Sequence, residues 1–266
     1  SRLADETKKI AEDIAARSAR PRDAKGIALP SVERSIDGDT IRYPHLTVEI
    51  DRGRRAASFR IAGPASAPPA DAAAIHALGA AFWPLALARA LDDAMMHLRL
   101  NETEIGTWVL QSQGDSSLVE AYDALLAKEQ SNWLVREIVL FWKRTLKRLD
   151  VSSRSLIALV EPGSCFTGTL FELVLAADRS YMLIGQMDGD NKPPAAIILD
   201  EANLSGRLPM SNGLSRLATR FLDDGEQLGK VKAAAGRKLD AEAAEELGLV
   251  TFALDDIDWE AEIRVF

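Results

Sequence analysis

The sequence predicts an α/β fold, on three observations. Apolar residues make up 47% of the 266 residues and charged residues 27%, which suits a soluble chain with a substantial core. Short apolar runs typical of strands alternate with amphipathic segments typical of helices along most of the chain. The segment 153–181 combines a strand, a glycine-bearing turn, a helix and a second strand. Such alternation is typical of βαβ crossovers and a parallel sheet.

The segment 153–181 is the most informative part of the chain. Ser155 to Val160 is an apolar run that ends at Glu161-Pro162-Gly163-Ser164, which predicts a buried strand followed by a turn. From Thr169 apolar residues recur with helical spacing, and Ser180 to Ile184 predicts the next strand. The free N–H groups at the start of the helix can hold a phosphate, a carboxylate or an oxyanion. An ordinary crossover turn gives the same pattern and is the commoner case.

The remaining elements follow from periodicity and from turn residues. Before the central segment we expect an amphipathic helix at 6–17, a hairpin whose strands are 41–50 and 55–61, two helices divided at Pro84 within 72–100, a strand at 105–111, and a long helix at 132–149. Ser117 and Glu120 have capping-box spacing at the start of another helix. After the central segment we expect strands at 195–200 and 249–253, and helices at 214–222, 226–235 and 240–247.

Composition excludes several classes of protein. The net charge of −8 argues against a nucleic-acid partner, and no apolar run is long enough to predict a membrane span. The single cysteine, Cys165, excludes an internal disulfide and favours a cytoplasmic location; it is expected to be a core residue. The spacing of the three histidines predicts no metal site. Asp188 and Asp190 have the spacing of a calcium loop, but no acidic ligand ends that loop, which favours a solvated loop.

Both ends of the chain lie inside helical patterns. Ser1 opens within one amphipathic segment and Phe266 closes within another, and neither end carries a cap. This indicates a piece of a longer polypeptide, in which residues 1–30 are a helix and a linker and residues 31–266 form the main domain.

Four sequence blocks together resemble the crotonase (enoyl-CoA hydratase/isomerase) superfamily. They are FWPLALARALDDAMMHLRLNETEIGTWVLQSQGD, EPGSCFTGTLFELVLAADRSYML, SNGLSRLATRF and LDAEAAEELGLVTFAL, in this order along the chain. The resemblance implies a spiral of ββα repeats that binds an acyl-CoA thioester, forms homo-oligomers and needs no metal or other cofactor.

A narrower resemblance is to the C-terminal half of the benzoyl-CoA-dihydrodiol lyase family. It is carried by VSSRSLIALVEPGSCFTGT, NETEIGTWV and DDIDWEAEIR. It implies a polypeptide of two crotonase-like halves that opens the ring of an epoxidised benzoyl-CoA in aerobic benzoate degradation. The N-terminal half would then be a partner within the same polypeptide.

The superfamily resemblance also implies site residues. Glu172 matches the catalytic glutamate, and Thr169 matches a glycine whose N–H completes the oxyanion hole, beside Gly168. The first oxyanion amide would come from a residue near Leu118 or Val119, and the second carboxylate from Asp200 or Glu201. The threonine at 169 narrows the approach of a thioester, and GDSSLVEA lacks the Gly-Ala-Asp element of the first oxyanion loop.

Three functional hypotheses remain open on the sequence. The chain is a supporting half of a CoA-thioester lyase, or a self-sufficient hydratase/isomerase that uses Glu172 as acid and base, or a non-catalytic oligomerisation module. The two departures from the superfamily pattern favour the first hypothesis over the second. The basic run Lys143, Arg144, Lys147 and Arg148 could contact a CoA phosphate, although a solvated helix face is the commoner use of such a run.

Overall fold

The computed structural model describes residues 2–19, 26–187 and 189–264. The strands are β1 (Ser35–Asp37), β2 (Thr40–Tyr43), β3 (Leu46–Asp51), β4 (Ala56–Ala62), β5 (Thr107–Gln113), β6 (Ser155–Val160), β7 (Arg179–Leu183), β8 (Ile197–Ile198), β9 (Lys238–Leu239) and β10 (Phe252–Leu254). The α-helices are α1 (Arg2–Ala16), α2 (Ala72–Leu78), α3 (Trp83–Asn101), α4 (Ser116–Lys128), α5 (Trp133–Asp150), α6 (Gly168–Ala176), α7 (Glu201–Leu204), α8 (Arg216–Arg220), α9 (Gly225–Ala233), α10 (Ala241–Glu246) and α11 (Asp256–Ile263).

The main sheet is mixed, with strand order β1-β2-β3-β4-β5-β6-β7-β10. Strands β1 to β4 form an antiparallel meander, and the pairs from β4 to β10 are parallel. Helices separate the parallel strands along the chain, as crossover connections require. The α/β prediction is therefore confirmed, and the carboxyl ends of β4, β5, β6 and β7 share one edge of the sheet.

The antiparallel part differs from its prediction at one place. The expected strand 41–50 is two strands, β2 and β3, which pair with each other across Pro44 and His45. Proline has no N–H to give to a ladder and favours turns, so the apolar run is interrupted there. The predicted turn between β3 and β4 is present, and the Asp51 carboxylate accepts a hydrogen bond from the Arg54 amide.

Helices α3 and α5 pack against each other and build much of the core. The indole N–H of Trp142 in α5 donates to the carbonyl of Pro84 in α3 (2.9 Å), and both residues are buried. Pro84 lies in the first turn of α3, so the predicted division of the segment 72–100 is confirmed. Residues 72–101 are long and apolar enough to cross a membrane by length and composition. Leu87, Ala88 and Leu98 of α3 are fully buried in the fold, which is the behaviour of a core helix.

Several smaller expectations need correction. The N-cap of α4 is Asp115 and not Ser117, since the Asp115 carboxylate accepts the Ser117 amide hydrogen bond (2.8 Å). The strand expected at 249–253 begins only at Phe252, and that expected at 195–200 shortens to Ile197–Ile198. Asp240 caps α10 as predicted, with Gly248 beyond its end at φ +71°.

Helix α1 has no buried residue, and Leu3, Ile10 and Ile14 are more than half exposed. Part of the predicted helix and linker, residues 20–25, lies outside the described residues, as do Ser1, Asp188, Val265 and Phe266. The domain boundary expected at residue 30 stays a prediction.

Candidate functional site

The candidate site is the N-terminal end of α6, which follows β6. The helix begins at Gly168, one residue before the predicted start, and its residues 168–175 are all buried. Gly168 has φ +49°, a left-handed conformation that glycine adopts without strain. The sequence thus forms the expected strand–turn–helix unit, with the helix running through the core.

The Thr169 amide that the resemblance assigns to the oxyanion hole already has a partner. Its N–H donates to Oδ2 of Asp123 at 2.7 Å, and the Thr169 hydroxyl donates to Oδ1 of the same carboxylate at 2.6 Å. Asp123 is a buried residue of α4. The position where a thioester oxygen would receive the Thr169 hydrogen bond is therefore occupied by an internal carboxylate.

Asp200 brings a second carboxylate to the same place. A Cβ atom on Gly168 would overlap carboxylate oxygens of both Asp123 and Asp200, so the two side chains converge on one glycine. Burial first, and then the nearby Asp200 charge, raise the pKa of Asp123 to about 7; burial also raises the pKa of Asp200. The Arg207 guanidinium opposes both shifts. The nearby Asp200 charge therefore favours the protonated form of Asp123.

Glu172 lies one turn further along α6 and is 2% exposed. Its Oε1 accepts a hydrogen bond from Nδ2 of Asn203 at 2.8 Å, and its Oε2 forms an ion pair with Nη1 of Arg216, also at 2.8 Å. Burial raises the pKa of Glu172, and Arg216 and Asn203 oppose that shift. Both carboxylate oxygens therefore have strong partners inside the protein.

Arg216 connects Glu172 to a second acid. Its Nε and Nη2 atoms donate to the two oxygens of Asp150 at 3.1 and 2.8 Å, and Nη1 also donates to the Leu208 carbonyl. The Arg216 side chain is 1% exposed, and those of Asp150 and Glu172 are 6% and 3% exposed. We call these three residues the buried ion triad. It joins α5, α6 and α8. Because the Arg216 guanidinium donates to both acids, its hydrogen-bonding capacity is largely used within the protein.

The structure brings some of the predicted site residues together. Gly168, Thr169 and Asp200 meet at the start of α6, and Glu172 lies on the same helix. Val119 lies inside α4, 1% exposed, and its amide donates to the Asp115 carbonyl at 3.4 Å, as in an ordinary helix. Glu201 is exposed. The catalytic and oxyanion roles stay predictions.

Four functional-site neighbours were missed by sequence reasoning: Asp123, Asp150, Asn203 and Arg216. Arg216 lies in the block SNGLSRLATRF, and an arginine within an apolar helical pattern is a usable signal of a buried ion pair. Asp123 also interrupts an apolar helix, but its partner Thr169 is 46 positions away.

The other residues that the sequence singled out, Cys165 and the basic run of α5, lie in structural and not in reactive surroundings. Cys165 is fully buried, and burial raises the pKa of its thiol to about 11, which confirms the core assignment. Arg144 of the basic run lies over the Phe141 ring at 4.4 Å, and Arg148 forms an ion pair with Asp92 at 2.9 Å. Across the described ranges no three His, Cys, Asp or Glu residues are grouped to hold a metal ion.

Comparison with curated proteins shows a relative that matches nearly the whole chain. The chain is 43% identical over 255 residues to a benzoyl-CoA-dihydrodiol lyase from Aromatoleum evansii. The match covers 96% of this chain and 45% of the relative, so the chain spans about half the length of the protein it matches. No family model matches the chain.

Solved structures of low identity share the fold. An enoyl-CoA hydratase from Geobacillus kaustophilus HTA426 has a TM-score of 0.52 at 18% identity, covering 84% of this chain and 73% of its own. An enoyl-CoA hydratase/isomerase from Cupriavidus metallidurans CH34 has a TM-score of 0.51 at 20% identity, covering 83% and 72%. The predicted crotonase-like fold is thereby confirmed. The chain therefore has the fold of the crotonase-type enoyl-CoA hydratases, and its sequence is similar to about half of a benzoyl-CoA-dihydrodiol lyase.

Proposed function

We propose that the chain is the supporting half of a CoA-thioester lyase that opens a ring-modified benzoyl-CoA in the cytoplasm. The curated relative, a benzoyl-CoA-dihydrodiol lyase, supports the substrate class. The observation that carries the supporting role is the 2.7 Å hydrogen bond from the Thr169 amide to the Asp123 carboxylate. In this proposal the rest of the polypeptide carries the reaction, and this chain supplies a wall or an assembly surface for homo-oligomers.

The argument rests on what an oxyanion hole requires. Its donors must be free to bind the oxygen on which charge develops. Each such donor lowers the activation barrier by roughly 3 kcal/mol. Here the Thr169 amide is engaged by Asp123, and when that carboxylate is ionised it repels an incoming oxyanion. The same donor cannot serve both groups, so a thioester carbonyl gains little at this position.

The buried ion triad supports the same proposal. A general acid or base must reach the proton that it transfers. Glu172 is 2% exposed and uses both oxygens on Asn203 and Arg216, which fits a carboxylate that holds α6 to its neighbours. In this proposal Glu172 acts on stability and not on turnover.

The decisive experiment is Glu172→Gln in the full-length polypeptide, assayed with the ring-epoxidised benzoyl-CoA. Glutamine keeps the shape and the Asn203 contact while it removes the charge, so we expect turnover per folded molecule within about twofold of the parent. A loss of a hundredfold or more, with the circular dichroism spectrum and melting temperature retained, would instead make Glu172 an acid or base. Asp123→Asn is the companion variant, with the same expectation.

One observation favours the second candidate, a self-sufficient hydratase or isomerase that uses Glu172. Its pKa is raised by burial, as is common for catalytic carboxyls. This candidate predicts that the chain alone hydrates a short enoyl-CoA, and that Glu172→Gln abolishes the hydration. The third candidate, an oligomerisation module, predicts self-association by analytical ultracentrifugation without any binding of benzoyl-CoA in calorimetry.

A further inference from the structure

A polar cleft lies at the carboxyl edge of the parallel strands, apart from the start of α6. We call it the edge cleft. Its volume is about 310 Å³, at the small end of the range for ligand sites. Its walls come from the ends of β4, β5 and β7, from the turn after β6, from the loop before β8 and from α11. In open α/β sheets, ligands bind outside the carboxyl ends of strands.

Polar side chains of three neighbouring chain segments meet in the edge cleft. Gln111 of β5 donates from Nε2 to Oε2 of Glu161, which follows β6, at 2.8 Å. Lys192 of the following loop donates from Nζ to Oε1 of Gln113 at 3.4 Å. Gln113 and Lys192 are exposed, Glu161 is half-buried, and all of them line the opening.

The turn that carries Glu161 is fixed by its backbone. Gly163 has φ +79°, and a Cβ there would lie 2.6 Å from Nε2 of Gln113 and 3.1 Å from a carbon of Lys192. The Gly163 amide donates to the Pro193 carbonyl at 2.8 Å, which anchors the loop bearing Lys192. The left-handed φ favours glycine at this position, so the turn that lines the edge cleft has a defined conformation.

The charges in the edge cleft differ in how far they are already neutralised. The Arg60 guanidinium lies 3.3 Å from a Glu49 oxygen. Lys192 has a neutral amide oxygen as its side-chain partner, and its backbone N–H donates to Asp190 at 3.0 Å. Among the described residues that line the edge cleft, the Lys192 ammonium is therefore more available to an incoming anion than the Arg60 guanidinium.

Glu161 complements this cation. Burial raises the pKa of Glu161, while the Gln111 hydrogen bond and the Arg60 and Lys192 charges oppose the shift. The protonated carboxyl donates a hydrogen bond, and an anion beside it favours that protonated form. The apolar lining includes Pro162, Leu183, Met187 and Trp259, which suits a compact hydrocarbon body.

We propose that the edge cleft binds a small monocarboxylate, with its carboxylate between Lys192 and Glu161 and its apolar body against Met187 and Leu183. This site shares no residue with the start of α6 and is independent of the function proposed above. A diacid or a phosphate would be disfavoured, since the Asp190 carboxylate would repel the additional charge.

The test is calorimetry of the full chain with benzoate, and with benzamide as the neutral analogue of the same shape. We expect benzoate to bind, benzamide to bind at least about tenfold more weakly, and Lys192→Met to weaken benzoate by about tenfold. Lys232→Met, which removes an exposed lysine of α9, is the matched control and should leave the affinity unchanged.

The pH dependence separates this site from a loose surface contact. Benzoate affinity should fall as pH rises through the pKa of Glu161, and Glu161→Gln should remove that dependence. Asp123→Asn should leave benzoate binding intact, which distinguishes the edge cleft from the α6 site. No binding of benzoate at millimolar concentration, equal binding of benzamide, or unchanged affinity in folded Lys192→Met would each overturn the proposal.

Discussion

Arg216 and Glu172 form an ion pair of 2.8 Å in which both side chains are at most 3% exposed. The pair is completed by Asp150, so one guanidinium neutralises acids from two helices. Removing the cation would leave two buried carboxyls whose pKa values are already raised by burial. The buried ion triad is therefore sensitive to single substitutions, whatever the site does chemically.

Arg216→Met should lower the free energy of unfolding by about 3–5 kcal/mol, because it leaves two buried acids without their cationic partner. Urea denaturation followed by circular dichroism measures the loss. Arg179→Met, which removes an exposed arginine of β7, is the control and should change stability by less than about 0.5 kcal/mol. A loss below about 1 kcal/mol for Arg216→Met would mean that the triad contributes little.

Gly168→Ala should be destabilising by more than about 2 kcal/mol. The residue has φ +49°, and the added Cβ would overlap the Asp123 and Asp200 carboxylates. Gly106→Ala is the matched control, since a Cβ there meets nothing within 4 Å. Thermal melting of both variants gives the comparison, and equal melting temperatures would contradict the packing around Gly168.

Asp123→Asn should change how stability depends on pH. The folded-state pKa of about 7 lies above that of an unfolded aspartate, so the folded protein binds the proton more tightly. The contribution of Asp123 to stability is then full below about pH 4 and falls as pH rises towards 7, by at most about 1.4 kcal/mol per pH unit. Asparagine does not titrate, so the stability of the variant should not show this decrease between about pH 4 and pH 7. Denaturation curves at several pH values test it, and parallel profiles for the two proteins would contradict the shift.

Cys165 should resist thiol reagents in the native protein. It is fully buried and its pKa is about 11, so at pH 8 little thiolate exists or is reachable. We expect labelling by a disulfide reagent to be at least about a hundredfold slower than in guanidinium chloride. Rapid labelling of the folded chain would show that the turn after β6 opens readily.

The fold class could be predicted from sequence because its signals are local. The run Ser155 to Val160 and the helical spacing after Thr169 gave β6 and α6 to within a residue. Pro44 lies between β2 and β3, and it predicts the division of this apolar run by the same argument that predicts the division at Pro84. Local patterns account for most elements between 35 and 183.

The site was less predictable because its contacts are distant in sequence. Asp123 meets Thr169 across 46 positions, and Arg216 meets Asp150 across 66. Each acid looks like a polar interruption in a helix until its partner is known. Asp200 was reachable only through the superfamily resemblance, and the occupation of the Thr169 amide by a carboxylate could not be foreseen from any pattern in the chain.

The mixed sheet has a consequence for the order of folding. Strands β1, β2 and β3 pair with their immediate successors through short turns, whereas β4 meets β5 only after residues 63–106 have been crossed. Closing such a long connection is slow relative to hairpin formation. The meander should therefore acquire structure first and template the later strands. Substitutions there should chiefly slow refolding, and those around α6 should chiefly hasten unfolding.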